Sequence, residues 1–266
     1  MSTDVVSGSD RAFLYGDGLF ETLRVFEGRP LWPGLHLDRL MLGCERLHIP
    51  FTRSDAATAL ERFSGEASGV LRLSISRGTG PRGYAPPVAP TPVPRLSVSP
   101  LPLEPLDAPV DVVFSSVVLA SQPLLAGIKH CNRLEQVLAA REARERGAGE
   151  ALLCNASGLV QCAIAANVFV LRGTTLLTPP IEHSGVEGTR RRLILEHLAY
   201  VAGLSCEIAP LGREDCLRAD AVILTNSVRG VRAVRSIEKT TLKTEHPAVA
   251  ALRRVYEREM HGCEAR

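Results

Sequence analysis

Ten of the 18 prolines fall between Pro81 and Pro109, behind a glycine-rich stretch that begins at Arg77 and runs through Gly78, Gly80 and Gly83. Proline fixes φ and removes a ladder donor, so this region is excluded from helix interiors and central strands and reads as loop or edge structure. The rest of the chain is divided into a part before it and a part after it. Before it, residues 35–47 carry apolar side chains at helical spacing (Leu37, Leu40, Met41, Cys44, Leu47) and stop ahead of Pro50. Residues 70–76 alternate as a strand should. After it, the spacing predicts a strand over 110–119, a linker over 121–126 and a helix over 132–146. Short strands follow over 150–154, 159–164 and 167–171, with a turn at residues 155–158. A helix opens at Gly188 with Leu193, Leu195 and Leu198 on its apolar face, and a strand over 219–224 ends in Thr225, Asn226 and Ser227. The fold class is therefore α+β in two domains: 1–120, a linker 121–126, and 127–266.

Composition narrows the function. The hydrophobic fraction of 45% and charged fraction of 23% are those of a globular chain, and 266 residues suffice for two modest cores. A net charge of +2 gives no electrostatic case for nucleic acid. No apolar run reaches the ~18–20 residues of a membrane span, and the N-terminus lacks a basic start with an apolar stretch behind it. The seven cysteines are scattered with no Cys-x-x-Cys pair, and the histidines show no metal-ligand spacing. A reduced, cytoplasmic protein without a structural metal is expected.

Of the 31 basic residues only three are lysine: Lys129, Lys239 and Lys243. The bias itself reads as genomic base composition, but it limits the chemistry. Amine chemistry has three candidates, because a guanidinium stays protonated. Lys239 and Lys243 lie in a polar, threonine-rich segment. Lys129 follows the apolar approach Leu124-Leu125-Ala126-Gly127-Ile128. Burial there would penalise its charge, lower its pKa and make the amine nucleophilic, as a Schiff base to a carbonyl or to pyridoxal phosphate requires. The alternative is a stem packed on the surface with its head in water. Gly188 and Thr189 at a helix start, and Asn226 and Ser227 at a strand end, suit a phosphate; Gly-Thr also suits an ordinary helix cap.

These pieces occur in a telling order. Tyr15-Gly-Asp-Gly-Leu-Phe-Glu-Thr22 is followed by His36-Leu-Asp-Arg39 and Lys129-His-Cys-Asn-Arg-Leu-Glu135. Gly158, then Asn167-Val-Phe169, Gly188-Thr189 and Asn226-Ser227 complete the set. The set resembles the class IV aminotransferases, the fold-type IV pyridoxal-phosphate enzymes. Lys129-x-x-Asn-Arg-Leu-Glu and the loop from Arg77 through Arg82, Gly83 and Tyr84 are most similar to the aminodeoxychorismate lyases among them. The resemblance covers about residues 10–235.

It implies a two-domain fold whose larger, barrel-like C-terminal domain carries the Schiff-base lysine, Lys129. Arg39 would bind the cofactor phosphate together with Gly188, Thr189 and Ser227, with Asn226 beside them. Thr22, Arg82 and Tyr84 match positions near the substrate, and an arginine there suits an acidic small molecule. Without the resemblance, Thr22 is a strand residue, Arg39 a helix-surface residue, and Arg82 and Tyr84 members of a mobile loop. The resemblance also implies a homodimer whose active site lies between domains and borrows a partner loop.

One position departs from the family pattern. Cys162 stands where the family places the glutamate that holds the pyridine nitrogen protonated, and Gln161 should point to the opposite strand face. A thiol is a weak donor, so the ring should be a poorer electron sink. A lyase that releases pyruvate and aromatic 4-aminobenzoate tolerates that loss better than a transaminase does. Three functions therefore stand: the lyase, an aminotransferase for D-amino or branched-chain acids, and a cofactor-binding protein with degraded catalysis.

Overall fold

The computed structural model describes residues 5–61, 63 and 68–262, so Cys263 lies outside the described residues. The chain forms two units. One runs through Leu101 and takes in Ile128–Arg133; the other comprises Pro102–Gly127 and everything from Leu134 onward.

The first unit contains α1 (Arg11–Tyr15), β1 (Gly18–Phe26), β2 (Arg29–Pro30), α2 (Pro33–Arg46), α3 (Arg53–Glu61), β3 (Gly69–Ser76) and β4 (Val93–Ser99). Its sheet is antiparallel in the order β2-β1-β3-β4. Leu19, Leu23 and Val25 of β1 and Leu71, Leu73 and Ile75 of β3 alternate into the core. Helix α2 lies close to β1 because Gly43 has no side chain: a Cβ there would come within 2.8 Å of Leu19 Cδ1. β4 holds Pro94 inside the proline-rich region, and it pairs on one side only, with β3. An edge strand tolerates the missing donor.

The second unit contains β5 (Val110–Leu119), α4 (Leu134–Glu145), β6 (Glu150–Asn155), β7 (Val160–Ala163), β8 (Asn167–Arg172) and β9 (Thr175–Thr178). Then follow α5 (Thr189–Leu193) and α6 (Ala199–Val201), joined by a π-helical turn over Ile194–Leu198, and β10 (Ser205–Ile208). The chain closes with α7 (Arg213–Leu217), β11 (Ala221–Asn226), β12 (Gly230–Ile237), β13 (Thr240–Thr241) and α8 (Pro247–His261). The mixed sheet runs β10-β9-β8-β11-β12-β5-β6-β7, with β13 on β12. Val112, Phe114, Leu152, Val168, Val170, Val222, Leu224 and Val234 form its core.

The expected division at residue 120 is corrected. β5 pairs in parallel with β12 and β6, so 110–119 belongs to the second unit. Lys129, expected in the C-terminal domain, is carried by the first unit instead. The amide of Phe20 donates to Lys129 O and that of Cys131 to Gly18 O, each at 2.9 Å, which pairs this short segment with the open edge of β1. Lys239 and Lys243 are exposed on either side of β13.

Candidate active site

Pairing with β1 decides what surrounds Lys129. The alternation that sends Leu19 and Leu23 into the core sends Phe20 and Thr22 to the other face. Lys129 Nζ lies 4.3 Å from the centre of the Phe20 ring. The guanidinium of Arg72 lies 3.8 Å from the same ring, and Arg72 is the cross-strand partner of Thr22. Burial, aided by repulsion from Arg39, Arg133 and Arg72 and opposed by Glu21, pushes the Lys129 amine down to about 7. An amine of that kind is about half neutral near pH 7, and its neutral form is nucleophilic. Next to it, burial and then Arg133 push His130 down to about 4.

Glu21 is the charged member of the otherwise apolar β1 face, and α2 supplies its partners. Arg39 Nε donates to Oε1 at 2.8 Å and Arg39 Nη2 to Oε2 at 2.5 Å, while His36 Nδ1 lies 2.6 Å from Oε2. Burial raises this carboxyl, but Arg39 and then His36 outweigh it and hold the group near 2. The sequence marked Arg39 and passed over Glu21 and His36. The signal was a glutamate at the parity of Leu19 and Leu23, where an ion must find a partner.

The loop with Arg82 and Tyr84 is exposed, and its backbone is tied down. Arg11, itself buried, donates Nη1 to the carbonyls of Gly83 (3.1 Å) and Ala85 (3.2 Å) and Nη2 to that of Tyr84 (2.7 Å). Its Nε donates to Asp17 at 2.8 Å. Tyr15 hydroxyl accepts from the Gly83 amide at 3.2 Å, and the Tyr15 and Tyr84 rings meet edge to face. A loop read as mobile from its composition thus carries a fixed backbone with Arg82 and Tyr84 side chains projecting from it.

In the second unit, the helix beginning at Thr189 has no side-chain cap at Gly188. A Cβ on Gly188 would sit 1.7 Å from Asn167 Oδ1, so a side chain there would have to displace the Asn167 amide. Asn167 donates Nδ2 to Val186 O at 2.9 Å and pairs across the sheet with Thr225. Thr225 Oγ1 is buried without a hydrogen-bond partner, and Asn226 and Ser227 follow it. Gly188 and Thr225 therefore meet at Asn167, with Thr189 following the one and Asn226 the other in the chain, a setting suited to an anion. Asn226 has a structural task there. Its Oδ1 accepts from the amides of Val228 (3.0 Å) and Arg229 (2.8 Å), and its Nδ2 donates to Ala165 O. Thr225 was missed because a buried strand-end threonine leaves no distinctive pattern.

Cys162 packs with Leu119, Ala139 and Leu153. Gln161 points the other way, as alternation requires, and accepts from Ser184 Oγ at 3.0 Å. Glu150 was also overlooked: burial drives its carboxyl up to about 7 against the lowering effect of backbone amides led by Ile164, whose N–H donates to Oε2 at 3.0 Å.

Residues 18–237 match the family model of amino-transferase class IV. The chain belongs to this family. An aminodeoxychorismate lyase of Vibrio harveyi is 34% identical over 251 residues, covering 92% of each chain. The 4-amino-4-deoxychorismate lyase structure from Pseudomonas aeruginosa superposes with a TM-score of 0.89 at 35% identity, covering 96% of each chain. A hypothetical aminotransferase from Mycobacterium tuberculosis, solved in a PLP-bound form, shares the fold with a TM-score of 0.82 at 22% identity, covering 97% of this chain and 96% of that one.

The cofactor of this class IV enzyme is pyridoxal 5′-phosphate. Its residues fit that group on their own evidence: a depressed lysine amine, a helix start with no side-chain cap where the Asn167 amide takes the place of a Cβ, and the orphaned Thr225 hydroxyl. Among the described residues no group of side chains could hold a metal ion, and no helix is long and apolar enough to cross a membrane.

Proposed function

We propose that this enzyme converts 4-amino-4-deoxychorismate to 4-aminobenzoate and pyruvate. The observation that carries the reading is Lys129: a lysine amine set against Phe20 and pushed to about 7, while the chain's other two lysines are exposed. The two lyases that are about a third identical over nearly the whole chain support the choice of substrate.

In this reading Lys129 would hold the cofactor when no substrate is bound. Its amine removes the proton from the substrate ring carbon that bears nitrogen, and returns a proton to the departing enolpyruvyl carbon. Pyridoxal phosphate, when bound, supplies the electron sink for that proton removal. Arg39, Gly188, Thr189 and Ser227 bind the phosphate, Asn226 shapes the turn that presents Ser227, and Thr225 adds its hydroxyl. Thr22, Arg82 and Tyr84 contact the substrate. Cys162 replaces a carboxylate with a thiol among apolar neighbours, which leaves the ring nitrogen poorly supported. Loss of that proton together with cleavage of the ring carbon–oxygen bond to the enolpyruvyl group makes the ring aromatic, and that driving force offsets the weaker sink.

A homodimer accompanies this reading. Helix α4 presents Leu134, Val137 and Leu138, three and four residues apart, to the outside of its chain. A cytoplasmic location is part of the same reading.

The deciding experiment incubates the purified enzyme with aminodeoxychorismate and no keto acid. Equal amounts of pyruvate and 4-aminobenzoate are expected. Turnover only after a keto-acid acceptor is added would make it an aminotransferase. A yellow protein inert with both would leave cofactor binding alone.

A further inference from the structure

We infer that Glu150, at the start of β6, is a positioning residue for the cofactor phosphate: its carboxylate holds the turn between β7 and β8, and that turn anchors Asn226, which shapes the loop bearing Ser227. The inference rests on the placement of the phosphate at Ser227 given above and deepens it, because nothing there says what holds Asn226 itself.

The contacts all lie within the second unit. β7 ends at Ala163 and β8 begins at Asn167, so residues 164–166 connect them. The amide of Ala163 donates to Ala166 O at 2.8 Å and closes the turn. The Ile164 amide is shared, reaching Ala151 O at 3.1 Å and Glu150 Oε2 at 3.0 Å. The amide of Ala165 also donates to the carboxylate. Ala165 is thereby held by its N–H, and its carbonyl accepts from Asn226 Nδ2 at 3.1 Å. Asn226 Oδ1 accepts from the amides of Val228 and Arg229 at 3.0 and 2.8 Å, which closes a loop around Ser227. Two side chains thus connect β6 to the strand end that carries Ser227.

A carboxylate suits this task for a physical reason. Its two oxygens accept several amides at once, whereas a carboxamide presents one acceptor and two donors. Among the described residues Glu150 forms no ion pair; it accepts from the amides of Ile164, Ala151 and Ala165, and Arg232 on β12 acts on it from beyond ion-pair distance. Desolvating a charge that has no cationic partner is costly, so the residue is poorly explained as a source of stability. The turn it fixes also leads directly into Asn167, which stands at Gly188 and pairs with Thr225. A shift of residues 164–166 would therefore move both sides of the anion setting.

The test uses the full-length protein freed of cofactor. Calorimetry compares pyridoxamine 5′-phosphate with pyridoxamine, neither of which has an aldehyde for Lys129, so the ratio of affinities reads the phosphate alone. Wild type should prefer the phosphate. Glu150→Met, which keeps the length and loses the acceptors, should lower that preference about threefold to tenfold, with the affinity for pyridoxamine unchanged. The phosphorus NMR shift of the bound phosphate should move, and Glu150→Gln should lie nearer wild type on both measures. If Glu150 acts through Asn226, adding Glu150→Met to Asn226→Ala should cost no further preference. If Glu150→Met does not fold, Glu150→Asp, which withdraws the carboxylate by one methylene, takes its place. An unchanged preference and NMR shift would overturn the inference, as would a parallel loss for pyridoxamine or an additive loss in the double variant. Ser227→Ala separates this from the reading beneath it. If Ser227→Ala loses the preference and the Glu150 variant keeps it, the phosphate placement stands and the role of Glu150 falls. If Ser227→Ala keeps it, the placement fails and the inference falls with it.

Discussion

Glu21 on β1 and Arg39 on α2 are joined by two hydrogen bonds, 2.8 and 2.5 Å long, and the carboxylate is 1% exposed. The pair fixes the angle of the guanidinium proposed to meet the cofactor phosphate, and His36 closes the same carboxylate from one turn earlier. Removing one member of such a pair leaves an uncompensated buried charge.

Glu21→Gln should therefore cost about 3–5 kcal/mol in urea unfolding, and weaken cofactor binding as Arg39 loses its anchor. The acid limb carries the same information. Glu21 sits near 2 in the folded chain against an ordinary 4.5. Its contribution is present above pH 4.5 and is lost as pH falls toward 2. The variant should show a flatter acid limb, and an unchanged limb would refute the pairing.

Lys129→Ala should abolish covalent capture of pyridoxal phosphate, since Lys239 and Lys243 are exposed on a separate hairpin. In the wild-type apoprotein, the rate of capture should rise with pH through about 7, not through the 10.5 of an ordinary lysine. Stopped-flow absorbance across pH 5–10 reads this directly.

Arg11→Lys should release the loop that carries Arg82 and Tyr84. An ammonium cannot reach Asp17 and three carbonyls at once, whereas the guanidinium does. Limited trypsin digestion should show faster cleavage after Arg82, and KM should rise more than kcat falls. A stability loss of about 2 kcal/mol is expected.

Glu150 has the opposite pH signature to Glu21. Its folded-state value near 7 lies above the ordinary 4.5, so its contribution is complete below pH 4.5 and is lost as pH rises through 7. Glu150→Gln keeps the acceptor for Ile164 and removes the ionisation. The variant should match wild type at pH 4.5 and exceed it by about 1–3 kcal/mol at pH 8. Thermal melts at the two pH values suffice.

Cys162→Glu places a carboxylate against Leu119, Ala139 and Leu153, which should destabilise the apoprotein by about 2–4 kcal/mol. With cofactor bound, a ring nitrogen within reach would restore much of that. Transamination should gain more than the lyase reaction; a gain confined to the lyase reaction would contradict the argument from aromatisation.

The local parts of this protein were legible in its sequence. Alternation over 70–76 and helical spacing over 35–47 gave β3 and α2 to within two residues, because period and parity are properties of neighbouring residues. The proline cluster marked edge and loop structure, and β4 is an edge strand. Lys129 was singled out by the apolar residues before it.

Tertiary structure decided which distant pieces share a unit. Residues 110–119 joined the second sheet and 128–133 the first, because a strand pairs with whatever edge offers unpaired amides and carbonyls, and nothing in its own pattern names that edge. The same holds for side chains. Arg11 reaches a loop 72 to 74 residues away, and Asn226, expected at the cofactor, spends its amide on a turn. Arg72 faces Lys129 only because β1 lies between their segments and sets the register of both. Sequence fixes the reach and charge of such groups; the register of the sheet fixes what they meet.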